Sequence, residues 1–113
     1  MNNKRKVIRL ECGDFLDMRL SDKGEKIRGE VRDFSLMGIC FSSNKNWVKG
    51  QDIYIDYFMR DELDAVRMRV EIIWSEFIDP DRGYFCGGKV IAIEEDKREV
   101  FRQYYYRKLE ERT

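Results

Sequence analysis

At 113 residues, with 42% hydrophobic and 13% aromatic side chains, the chain has the length of one domain and too much apolar content to stay disordered. Charged residues make up 39% of it yet cancel to a formal net charge of zero, which excludes bulk attraction to nucleic acid or to an anionic membrane. There is no histidine, so the commonest general base, metal ligand and partner of a Ser or Cys nucleophile is missing, and the composition points to a protein that is not an enzyme and holds no metal.

In chain order, the first ten residues carry Lys4, Arg5, Lys6 and Arg9, and the first acid is Glu11. Such a run is either a solvated, mobile terminus or a flexible cationic arm that closes on an anion. Strand-like segments follow at about 7–20, 26–33, 38–42, 52–59, 66–74 and 84–93. The clearest is 66–74, where Val66, Met68, Val70, Ile72 and Trp74 alternate with Arg67, Arg69 and Glu71, the period of a half-buried strand. Turn chemistry separates the segments, most plainly Asp79-Pro80-Asp81-Arg82-Gly83, which reads as a hairpin tip. Short strands with turns between them predict a small antiparallel barrel or sandwich.

The period changes near residue 94. Glu94, Glu95 and Asp96 suit the positive end of a helix dipole, and Val100, Phe101, Tyr104, Tyr105 and Leu109 recur at helical spacing. A helix over about 94–112 is predicted to pack across the barrel end. Cys12, Cys40 and Cys86 are far apart and form no CxxC pair, as expected of reduced, buried thiols. With no long apolar run and no secretory leader pattern, a cytoplasmic location is expected.

Two short patterns carry chemistry. Arg5 and Arg9 form an RxxxR, which is weak alone because the spacing recurs at Arg28/Arg32 and Arg98/Arg102. Those other pairs read as a charged strand face and a solvated helix face. Asp33-Phe34-Ser35-Leu36-Met37-Gly38 is a DxSxxG segment between two strands. By itself it is a turn in which Asp and Ser bond their own backbone and glycine supplies a positive φ.

In this order, RxxxR followed about two dozen residues later by DxSxxG, the chain resembles the PilZ domain family. The later Tyr84-Phe85-Cys86-Gly87-Gly88-Lys89-Val90 strand and the closing helix follow that family's layout. The resemblance implies a mainly β fold: a six-stranded antiparallel barrel over 7–113 with a C-terminal α-helix, preceded by an arm over 1–10. It also implies a receptor for the bacterial second messenger cyclic di-GMP, with a downstream protein partner in motility, biofilm, polysaccharide or virulence control.

The ligand explains the residue types. It carries two guanines and two phosphodiesters, and arginine's planar fork can grip phosphate, lie on a purine, or donate to guanine O6 and N7. The resemblance assigns Arg5 and Arg9 to phosphate and the guanine Hoogsteen edge, Asp33 and Ser35 to base contacts, and Gly38 to close backbone approach. Lys4, Lys6 and Met37 are additional candidate contacts; Lys6 stands where many members have another arginine, and Met37 where the pattern shows glycine. Two other readings fit the same residues: a ligand-free PilZ-like adaptor working by protein contact, and a small barrel that binds single-stranded nucleic acid.

Overall fold

The computed structural model describes residues 8–21, 23–60 and 64–112. The strands are β1 (Leu10–Glu11), β2 (Phe15–Arg19), β3 (Ile27–Phe34), β4 (Gly38–Ser43), β5 (Asp52–Phe58), β6 (Ala65–Asp79) and β7 (Gly83–Ile93). A single 3-10 turn, Glu95–Lys97, leads into the helix α1 (Arg98–Glu111). Every strand pairing is antiparallel. The order β3-β2-β5-β6-β7-β4 closes on itself through a β3–β4 pairing, giving a six-stranded barrel, with β1 as an extra strand on β3.

Period-two alternation builds the interior. Leu16 and Met18, Ile53, Ile55 and Tyr57, then Val66, Met68, Val70 and Ile72 all point inward and are essentially inaccessible. Cys40 and Cys86 are buried and Cys12 is partly so; all three are free thiols whose pKa burial pushes up.

The segment 7–20 is not one strand. It breaks at residues 12–14, where the Cys12 N–H bonds the Arg32 carbonyl and the Val31 N–H bonds the Asp14 carbonyl. The break turns the Asp14 side chain into the protein, where its Oδ2 accepts from the Tyr57 hydroxyl at 2.8 Å and the Tyr104 hydroxyl at 2.6 Å.

The β6–β7 hairpin runs past residue 74 to the Asp79–Gly83 tip. There Asp79 accepts from the backbone and guanidinium of Arg82, both at 2.8 Å, which holds its carboxyl below the usual range. Gly83 takes a positive φ of 79°, which closes the tip.

Glu94 remains tied to β6, its N–H on the Arg67 carbonyl and its carboxylate on the Arg67 N–H, so regular helix begins only at Arg98. The helix then lays Phe101, Tyr104 and Tyr105 over Phe34 and Tyr57, with ring centroids 5.4–6.5 Å apart. Val100 and Tyr106, by contrast, face outward.

Candidate functional site

Two β-bulges set which side chains reach the outer wall of the barrel. Along β3, Gly29 and Val31 point inward, and strict alternation would send residue 33 inward as well. The register slips instead: Val31 pairs with Phe41 and Asp33 with Cys40, so Arg32 is the extra residue. Arg32 and Asp33 therefore both lie outside, while Phe34 returns to the core.

A second slip on β6 falls between Ile72 and Trp74, opposite Gly88 and Gly87. It overturns the core placement that the 66–74 alternation gives Trp74. The indole is 41% exposed and lies against Gly87, where an added Cβ would come within 2.2 Å of its Nε1. The Gly87-Gly88 pair in the middle of a strand is the sequence signal for this close approach.

Between the bulges lies an open cavity of about 480 Å³ lined by Arg9, Arg32, Asp33, Cys40, Trp74 and Gly87, among others. Arg9 crosses it, with Nε and Nη2 both 2.7 Å from the Asp33 Oδ1. The Arg9 side chain is 47% exposed, and an ion pair that open to solvent contributes at most about 1 kcal/mol, so a ligand can exchange for it. Arg32 holds its guanidinium 5.0 Å from the Phe85 ring, at the rim.

The DxSxxG segment stands directly behind Asp33. Ser35 is buried, and its Oγ accepts from the N–H groups of Met37 (3.2 Å) and Gly38 (3.1 Å), while its own N–H bonds the Gly38 carbonyl. This leaves the hydroxyl proton as a donor. Gly38 does not have a positive φ, contrary to the simple turn reading. Its bare Cα lets the Arg9 guanidinium lie close over it: an added Cβ would sit 2.9 Å from Nη1 and shift that side chain.

The structure thus brings Arg9 and Asp33 together, with Ser35 and Gly38 shaping the ground beneath them. Met37 is 61% exposed and does not line the cavity. Lys4, Arg5 and Lys6 lie outside the described residues. Trp74, Arg32 and the Gly87 backbone line this candidate site and were not among the sequence-derived contacts. Among the described residues, no cluster of acidic, cysteine or histidine side chains is arranged to hold a metal, and no helix is long and apolar enough to cross a membrane.

Comparison with known proteins agrees with this architecture. The model of the PilZ domain family matches residues 3–107. The inhibitor of motility MotI/DgrA from Bacillus subtilis superposes with a TM-score of 0.75 at 12% identity, over 96% of this chain and 52% of that one, so the chain spans about half of that protein. The PilZ domain of YcgR from Escherichia coli, solved with c-di-GMP, gives a TM-score of 0.69 at 11% identity, covering 96% of this chain and 94% of that one. No curated protein matches the sequence.

Proposed function

The chain belongs to the PilZ domain family, and we propose that it is a receptor for cyclic di-GMP that passes the signal to a partner protein. The observation that carries this reading is the exposed Arg9–Asp33 pair beside Trp74 on the outer barrel wall. Each component answers one part of the ligand. The Asp33 carboxylate accepts from guanine N1–H and N2–H₂, a pair of donors that adenine does not present. Arg9, released from Asp33, binds phosphate or the O6/N7 edge. Trp74, backed by Gly87, offers a flat face on which a purine stacks. Ser35 gives its hydroxyl proton to the base, and Gly38 leaves room for the guanidinium.

Arg5, with Lys4 and Lys6, completes the reading as the part of the cationic arm ahead of Ile8, which orders on the ligand's phosphates, while Ile8, Arg9 and Leu10 are already tied to the helix, to Asp33 and to the core. That ordering is the conformational change a partner would read. The c-di-GMP complex of the YcgR PilZ domain supports the ligand's identity. The chemistry needs no catalytic group and no cofactor.

Isothermal titration with cyclic di-GMP tests the reading, alongside Arg9→Ala and Asp33→Ala. Binding by the wild type and a loss of at least about tenfold in each variant are expected. No heat from the wild type sinks the receptor reading, and equal affinity for cyclic di-AMP refutes Asp33 as the guanine reader.

A further inference from the structure

Arg9 also lines a second cavity, of about 420 Å³. The rest of its lining is Leu10 and Glu11 from β1, Lys108 from the last turn of α1 and Arg112 just after it. Its lining carries three cations and one carboxylate, Glu11, with Asp33 paired to Arg9 and Glu111 to Lys108 just outside it. From this we infer that Lys108 and Arg112, together with Arg9, form a second anion-binding subsite at the helix end, which takes a phosphodiester of the same ligand whose guanine sits at Asp33 and Trp74. The inference rests on the cyclic di-GMP reading and extends it to residues outside the two sequence motifs.

The subsite is partly organised in advance. The Lys108 Nζ is held 3.4 Å from a Glu111 oxygen and 5.4 Å from the centre of the Tyr104 ring, and its side chain is only 23% exposed. Much of the side-chain entropy that an anion would have to remove is already spent. The Tyr105 hydroxyl, one turn before Lys108, bonds the carbonyl of Ile8, the residue before Arg9.

The helix end is thereby tied to the strand segment that carries Arg9. The carbonyls at that end repel an anion, so the attraction must come from the side chains. Arg9 is the wall shared by both cavities, and a molecule with a base and a phosphate linked through one ribose can occupy both at once. Ligand held there touches barrel and helix together, which makes α1 part of the surface that changes on binding.

The test is titration of cyclic di-GMP into the full chain and into Lys108→Gln/Arg112→Gln at low and high salt, with thermal melts to check the fold. The expected result is a loss of at least about tenfold at low salt and a shallower salt dependence than the wild type. Asp33→Ala should weaken binding without the shallower salt dependence of the double variant. In a parallel NMR titration of the wild type, the backbone amides of residues 108–112 should shift with the same midpoint as that of Asp33. Wild-type affinity and salt dependence in the double variant, with silent amides at 108–112, overturn the subsite and leave the receptor reading standing. Absence of binding by the wild type overturns both.

Discussion

Asp14, in the break between β1 and β2, and Asp33, on the neighbouring β3, each have an arginine nearby, and the protein treats them in opposite ways. Asp14 is 4% exposed; its Oδ2 accepts from two phenols, and Arg60 stands off at 3.8 Å from its other oxygen. Asp33 is partly open to solvent and is held by Arg9 alone among the described residues, through one oxygen.

The first arrangement ties strand, barrel and helix into one unit, because a buried polar group is stable only while its partners are in place. The second is an exposed pair of little net strength, whose members are free to take other partners. Two carboxylates of the same chemistry are therefore distinguished by burial and donor type: one is locked into the fold and the other is left exchangeable.

Substitution should separate the two, and the largest effect belongs to the buried one. Asp14→Ala leaves the Tyr57 and Tyr104 hydroxyls without their acceptor, at about 1–3 kcal/mol each, so the variant should lose roughly 2–5 kcal/mol in urea unfolding. Near-wild-type stability would show that the tie is dispensable.

Asp33→Ala should do the reverse. Stability should stay within about 1 kcal/mol, while cyclic di-GMP affinity falls by about tenfold or more in titration calorimetry. A comparable loss of stability would erase the distinction between the two carboxylates.

Trp74→Ala sharpens the recognition side. Losing one stacked base is worth about 1–3 kcal/mol, read as weaker binding, with a small stability change because the ring is partly exposed on the outer wall.

The smallest effect is Tyr104→Phe, which keeps the ring packing and removes one donor to Asp14, for about 1 kcal/mol. It should also change the alkaline limb of stability. Burial, with Asp14 close by, raises the Tyr104 phenol above its ordinary value of 10.0. The unfolded chain therefore ionises this phenol first. The phenol's contribution is fully present below pH 10 and is lost as pH rises beyond it. Denaturant titrations above pH 10 should show a slope shallower by about one proton in the variant.

Much of this molecule was legible in its residues. The alternation at 66–72, the turn at 79–83 and the apolar spacing at 101–105 specify strands, hairpin and helix, because period and turn chemistry are local properties. The order of the Arg9 and Asp33 motifs likewise marked a pair that the fold brings to 2.7 Å.

Other features depended on neighbours that local reading does not supply. Alternation assigns a face only until an extra residue shifts its phase, and whether a strand accepts that residue is decided by the strand beside it. The slip opposite Cys40 puts Asp33 outside, and the slip opposite Gly87 and Gly88 moves Trp74 from the core to the cavity wall. The break at 12–14 that buries Asp14 needs Tyr104, ninety residues away in sequence, to satisfy it. The sequence by itself determined most of the strand segments and the closing helix, and it singled out Arg9 and Asp33. Only the tertiary structure decided which carboxylate is buried and which side chains surround the exposed one, because both follow from packing between elements distant in the chain.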